Sequence, residues 1–308
     1  MFMLRVLLLP LAVASFAATP VGAEPVADFY RGKRINLVIG YGTGGGYDSY
    51  ARLLARFLGE HIPGNPGIIA QNMPGAGSRN AANWLYRIAP KDGTVIATLG
   101  QATPIDQALG QPGIQFDARR FNWIGNTVVV NNILGTRFRI VAGYPGGGDI
   151  NLALERGEVD GRGSDSWASI KASNPDWLRD KKINILFQVG PRREADLPDI
   201  PIWSELAQND EQRQILEVLS GDVAVGRPIL TAPDVPQERV NALRQAFDET
   251  VKDQNFIAAA RGANMYFHPM GGEELQRVVA RILSPSAEVI DKVKDAIKIK
   301  DVQRLPGR

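Results

Sequence analysis

Apolar positions along this chain follow two alternating rhythms, short β-branched runs and longer stretches with a period of about 3.6 residues. Ile35-Asn36-Leu37-Val38-Ile39 is a compact strand-like run that stops at Gly40. Over residues 48–60 the pattern turns helical. Ala51, Leu54, Ala55 and Leu58 form one stripe, widened by Tyr50, Leu53 and Phe57, while Arg52, Arg56 and Glu60 stack on the remaining face. A second strand is predicted over 67–71, followed by Pro74-Gly75-Ala76-Gly77-Ser78 and a helix through Ala81, Trp84, Leu85 and Ile88. Pro90-Lys91-Asp92-Gly93 is a turn, and 94–99 a third strand. Strands alternating with helices predict βαβ units, a parallel sheet and the α/β class.

Further on, 123–130 is a longer apolar stretch and 139–143 another strand, with a short helix over 149–156 carrying Ile150, Ala153 and Leu154. Asn184-Ile185-Leu186-Phe187 continues the alternation. Residues 233–257 read as one proline-started helix with Val240, Leu243 and Phe247 on one face, and 273–282 and 287–297 as closing helices.

The N-terminus fits a targeting segment better than part of the fold. Arg5 precedes an uncharged apolar run over 6–16, and Val21-Gly22-Ala23 has the small-x-small pattern of a cleavage site, so a signal peptide over 1–23 is expected, cut after Ala23. The run is shorter than the ~20 residues a membrane span needs, so no membrane insertion is expected after cleavage. The formal charge is +2, with no basic block, which argues against nucleic acid and anionic membrane as partners. The chain has no cysteine. That removes a disulfide scaffold, a thiolate metal site, a cysteine nucleophile and a lipid anchor on cysteine. The expectation is an exported monomer in a bacterial periplasm.

The most informative motif is Gly40-Tyr41-Gly42-Thr43-Gly44-Gly45-Gly46-Tyr47-Asp48, between a strand and a helix. Glycines allow close backbone approach to a ligand, and the helix start behind them offers N–H groups and partial positive charge. An anion is the natural occupant, with Asp48 expected as the helix N-cap. A plain connecting turn is the alternative. The dinucleotide pattern G-x-G-x-x-G fails, because counting from Gly42 the sixth position is Tyr47. Two other segments repeat the motif: Gly75-Ala76-Gly77-Ser78, and Gly143-Tyr144-Pro145-Gly146-Gly147-Gly148-Asp149, which again ends in an aspartate at the expected cap position. In open α/β sheets such loops gather at the carboxyl ends of the strands, where ligands bind.

Enzyme signatures are absent. His61 and His268 have no partner spacing for a metal or a triad, and His61 fits a surface position at a helix end. There is no Walker loop, H-E-x-x-H or G-x-S-x-G. No catalytic residue, metal or cofactor is expected. Ser164-Asp165-Ser166 fits either a polar contact patch or a loop after the Val159-Asp160-Gly161 turn. Trp123, Trp167 and Trp177 fit core packing better than a pocket.

Taken in order, Ile35 to Tyr41, Gly44-Gly45, Asp48, Ala51-Arg52-Leu53-Leu54, Gln71-Asn72-Met73-Pro74-Gly75-Ala76-Gly77 and Pro90-Lys91-Asp92-Gly93-Thr94 resemble the extracytoplasmic receptors of tripartite tricarboxylate transporters. Gly157-Glu158-Val159-Asp160, Arg193, Pro198-Asp199-Ile200-Pro201 and Ala232-Pro233 extend the match. The resemblance implies a two-lobed periplasmic binding protein fold of type II (Venus flytrap) that holds a di- or tricarboxylate or related acid and delivers it to membrane permease subunits. It implies lobe 1 over 24–124 and 226–308, and lobe 2 over 125–225. The implied ligand residues are Tyr41, Thr43, Gly44, Gly45, Gly46, Asp48, Gly75, Ala76, Gly77 and Ser78, with further contacts from Gln101 and Thr103 after the third strand. Read from the residues themselves, the third glycine loop and the polar patch add Gly147, Asp149, Ser164 and Asp165 as ligand candidates in the other lobe. In the family a helix, a strand and a glycine- and serine-rich loop follow the strand at 123–130. Here the next strand begins near Arg139, where a crossover needs ~10–12 residues. The second lobe is therefore expected to be shortened by one βα unit near 131–138. A sensing partner of a membrane signalling protein, or a truncated receptor with weakened binding, are alternative readings.

Overall fold

The computed structural model describes residues 25–128, 132–134, 140–142, 147–162, 166–167, 170–171, 174–190, 193–263, 265, 267–296 and 302–304. The expected signal peptide and its cleavage after Ala23 lie outside the described residues.

The chain opens with a short helix α1 (Val26–Tyr30) and strand β1 (Arg34–Ile39). Then come α2 (Gly46–His61), β2 (Gly67–Asn72), a 3-10 turn at Ala76–Ser78, α3 (Arg79–Arg87), β3 (Val95–Thr98), α4 (Thr103–Ala108) and β4 (Asn122–Asn126). Shorter elements follow: β5 (Asn132–Leu134), β6 (Ile140–Ala142), α5 (Gly147–Glu155), α6 (Pro175–Arg179) and β7 (Phe187–Val189). The last part holds α7 (Asp210–Val225), β8 (Pro228–Thr231), α8 (Gln237–Thr250), α9 (Gln254–Gly262), β9 (Met270–Gly271), α10 (Gly272–Ile282), α11 (Ala287–Ala296) and β10 (Val302–Arg304).

The main sheet has six strands in the order β2-β1-β3-β8-β4-β9. The expected βαβ alternation produces parallel pairing of β1 with β2 and β3. The sheet as a whole is not parallel, however. β8 runs antiparallel to β3 and β4, and β9 antiparallel to β4. The reason is connectivity. The chain leaves the sheet beyond β4 and comes back along the same path, Thr127 donating its N–H to the Arg227 carbonyl (3.2 Å) and Arg227 its own to Val128 (3.3 Å).

One core holds this sheet and its helices together. Ile35, Leu37, Val38 and Ile39 pack with Leu54 and Leu58 of α2, Leu85 of α3, Leu230 of β8, Val240, Leu243 and Phe247 of α8, and Leu275 and Val279 of α10. Burial of each such side chain stabilises by about 1.5–3 kcal/mol relative to exposure. Gly125 in β4 leaves room for the Phe247 ring, which a Cβ there would strike.

Other elements depart from the sequence pattern. The single helix expected over 233–257 is two, α8 and α9, because Asp253 caps a new start, accepting from the N–H groups of Asn255 (2.7 Å) and Phe256 (3.2 Å). The strand expected at 184–187 lies at β7 instead. Ile88, placed on the apolar stripe of α3, is 71 % exposed just past the helix end. Helix α7 has no counterpart among the elements the sequence pattern predicts. The βα unit expected to be missing near 131–138 falls on residues of which only β5 is described, antiparallel to β7; the remainder lie outside the described residues.

Trp123, Trp167 and Trp177 are all buried, as core packing predicts. Their indole N–H groups donate to the Ala118 carbonyl (2.9 Å), Asp196 (3.2 Å) and Glu155 (3.0 Å). No helix among the described residues is long and apolar enough to cross a membrane.

Candidate functional site

Because β2, β1 and β3 are adjacent and parallel, the loops leaving their carboxyl ends emerge side by side. These are the loop from Gly40 to Gly45, the segment from Met73 to Ser78, and the turn from Leu99 to Ala102. They touch closely. A Cβ on Gly40 would collide with the Ser78 hydroxyl, and one on Gly100 would stand 2.6 Å from the Tyr41 hydroxyl and 3.1 Å from the Gly77 carbonyl. By contrast, a Cβ on Gly42, Gly44, Gly45 or Gly77 would meet nothing within 4 Å. The outer faces of the two glycine loops therefore look onto open space at the start of α2, where N–H groups and the helix dipole favour an anion.

The second loop is tightly wound. Gly75, Ala76, Gly77 and Ser78 all have positive φ (131°, 48°, 63° and 79°). Ala76 and Ser78 hold this conformation against a steric cost of about 1–2 kcal/mol each, a kind of strain that concentrates at ligand clamps. Ser78 is fully buried, and its hydroxyl has no hydrogen-bond partner among the described residues.

Asp48 corrects one expectation. The N-cap of α2 is Gly45, and Asp48 is the third helical residue. Its carboxylate reaches back to accept from the Gly44 N–H (3.0 Å), and it also accepts from Arg52 Nε (2.9 Å) and Asn72 Nδ2 (2.9 Å). Burial pushes its pKa upward, but these hydrogen bonds outweigh burial and hold the group below the usual carboxylate range.

Tyr41 and Tyr47 stack with ring centres 4.4 Å apart. The Tyr47 hydroxyl donates to the Gly226 carbonyl (3.2 Å) and accepts from the Gln101 N–H (2.9 Å), joining the start of α2, the third loop and the entry to β8. Burial, reinforced by the charges of Asp106 and Asp222, pushes the Tyr41 phenol up to about 12. The Gln101 side chain donates to Asp222 (3.1 Å), whose pKa is raised, chiefly by burial. Thr103 is buried and spends its hydroxyl on the Gly100 carbonyl (2.7 Å), closing its own turn.

The structure thus brings together Tyr41, Thr43, Gly44, Gly45, Gly46, Asp48, Gly75, Ala76, Gly77, Ser78, Gln101 and Thr103. It adds Tyr47, Asn72, Asp222, Gly226 and Arg227, which pattern reading missed. Arg227 is buried, its guanidinium 4.3 Å from the Tyr50 ring centre and 5.6 Å from that of Tyr47. A Cβ on Gly46 would lie 2.6 Å from its Nη2. The available signal was a lone cation in Gly226-Arg227-Pro228, just ahead of an apolar run. In the other predicted loop, α5 starts at Gly147, so Asp149 is again the third helical residue rather than the cap, and it is exposed. Among the described residues no hydrogen bond joins α5 to the three loops. Ser164 and Asp165 lie outside the described residues. His61 sits at the end of α2 as expected, half-buried, 3.1 Å from Asp253. Among the described residues no cluster of acidic and histidine side chains has the makings of a metal site.

Solved structures share this architecture. A TctC solute-binding protein from Polaromonas, solved without ligand, matches at 19 % identity over 85 % of this chain and 99 % of its own, with a TM-score of 0.57. The fold is that of the periplasmic solute-binding proteins. MatC from Rhodopseudomonas palustris, with bound malate, matches at 15 % identity over 83 % of this chain and 99 % of its own (TM-score 0.59). A second R. palustris protein, with adipate, matches at 17 % identity over 86 % and 98 % (TM-score 0.61). No protein-family model and no curated protein sequence matches the chain.

Proposed function

We propose that this chain is a periplasmic receptor that captures a small organic carboxylate, performs no chemistry on it, and hands it to the permease subunits of a tripartite tricarboxylate transporter. The observation that carries the proposal is the open face of Gly42, Gly44 and Gly45 at the start of α2, with the buried Arg227 guanidinium beside Gly46. Backbone N–H groups, a helix terminus and a fixed cation add positive potential at one place, which suits a carboxylate. Malate and adipate bound to proteins of the same fold support a dicarboxylate or a related acid as the ligand.

In this proposal Tyr41, Thr43, Gly44, Gly45, Gly46, Gly75, Ala76, Gly77, Ser78 and Gln101 supply the wall formed by 24–124 and 226–308. Asp48 and Thr103 shape that wall from behind. Residues 125–225 supply the opposing lobe, shortened by a βα unit near 131–138, with Gly147, Asp149, Ser164 and Asp165 as its ligand residues. The mature protein begins after Ala23 and acts as a monomer.

Calorimetric titration with malate, adipate, citrate and their neutral amides tests the proposal. Saturable binding of at least one acid, no binding of its amide and no turnover are expected. No heat and no rise in melting temperature with any acid would overturn it.

A further inference from the structure

Asn72 is the last residue of β2 and faces the first glycine loop. Its side-chain Nδ2 donates both to the Tyr41 carbonyl (2.9 Å) and to Asp48 Oδ1 (2.9 Å), while its Oδ1 accepts from an Arg52 terminal nitrogen (2.7 Å). Arg52 Nε donates to the same Asp48 oxygen (2.9 Å), and the other Asp48 oxygen accepts from the Gly44 N–H (3.0 Å). The tip of the loop, Gly42-Thr43, is thus tied on one side through a carbonyl and on the other through an N–H. Both ties lead to one side-chain network drawn from α2 and β2.

We infer that Asn72 and Arg52 are positioning residues that latch the loop in its ligand-ready shape before ligand arrives. The inference rests on the carboxylate-binding proposal for that loop. A glycine-rich segment has more backbone freedom to lose than any other. If only a fraction of molecules holds the competent shape, apparent affinity falls by that fraction. The residue types suit the task. A neutral amide presents donors and an acceptor together, so Asn72 serves the Tyr41 carbonyl and Asp48 with one end and Arg52 with the other. An aspartate there would set a second carboxylate against Asp48. Arg52 also balances the charge of Asp48, so an anion arriving at the loop does not face an uncompensated carboxylate beneath it.

The test compares the wild-type chain with Asn72→Ala and Arg52→Ala, using malate, adipate and citrate as calorimetric probes and the Gly44 amide proton as an NMR reporter. Arg52 lies on the solvent side of α2, so its variant carries the test if Asn72→Ala does not fold. Expected are a Kd raised about tenfold, faster hydrogen exchange at Gly44, and movement of its pH-dependent shift toward the ordinary carboxylate range. A purely structural role would lower the melting temperature yet leave Kd, measured well below melting, and the Gly44 titration as in wild type. That result, in a protein that binds acid, overturns the latch and leaves the carboxylate proposal standing. A wild-type chain that binds no acid overturns the carboxylate proposal, and an unchanged Gly44 amide in both variants then overturns the latch independently.

Discussion

The Arg227 guanidinium lies 4.3 Å from the centre of the Tyr50 ring, holding a buried cation at the edge of the first glycine loop. Two consequences are separable. The stacked contact contributes about 0.5–2 kcal/mol to stability, and the charge adds to the positive potential at the start of α2. Arg227→Leu is expected to lower the melting temperature modestly. It is also expected to weaken dicarboxylate binding about tenfold, as loss of a fixed positive charge near a bound anion does. Calorimetry with one acid at two salt concentrations checks this, because the variant should lose most of the salt dependence of Kd.

Asp222 carries a pH dependence of opposite sign to the usual carboxylate. Its pKa in the folded protein is raised, mainly by burial, above its unfolded value. Between the unfolded and folded values the native state binds more protons, so its contribution is most favourable below that window and is lost as pH rises through it. Asp222→Asn keeps an acceptor for Gln101 and removes the buried charge. Thermal melts at neutral pH are expected to show a more stable variant, with the difference vanishing toward acid. A variant less stable than wild type at neutral pH contradicts this.

Asp48 behaves conversely. Its folded pKa is depressed, so its contribution is present above its unfolded pKa and disappears as pH falls through the folded value. Asp48→Ala is expected to cost about 1–3 kcal/mol at neutral pH, removing the acceptor of the Gly44 N–H and one of the two acceptors of Asn72 Nδ2. Denaturant titrations at neutral and acid pH should show that difference shrinking in acid.

Gln188 is a buried amide with every group engaged. Its nitrogen donates to the Leu197 and Ile200 carbonyls (2.8 Å each), and its oxygen accepts from the Glu194 N–H (2.8 Å). Gln188→Leu is expected to destabilise by about 1–3 kcal/mol or more, since each orphaned backbone group carries its own desolvation penalty. Urea denaturation measures it.

Gly125 packs its bare Cα against the Phe247 ring. Gly125→Val is expected to cost about 1–3 kcal/mol by overpacking. The double variant with Phe247→Leu should recover part of that loss if the ring is the obstacle.

Local order along the chain was legible in its sequence because periodicity and punctuation are local properties. Ile35 to Ile39 could only be a buried strand, Leu54 and Leu58 only the inner face of a helix, and the glycines after β1 and β2 only loops at strand ends. Tertiary structure decided what the chain's return brings there. Whether β8 runs parallel or antiparallel depends on Arg227 re-entering beside Val128, a pairing between positions far apart in sequence. For the same reason the sequence pattern places Asp48 at the cap, where the fold has Gly45. Its carboxylate has three donors within reach, and only the juxtaposition of β2 with α2 places Asn72 among them. The sequence by itself determined that strands would end in glycine loops at helix starts. The fold determined which side chains brace those loops, because hydrogen bonds and buried charges depend on distance in space, which hydrophobic periodicity does not encode.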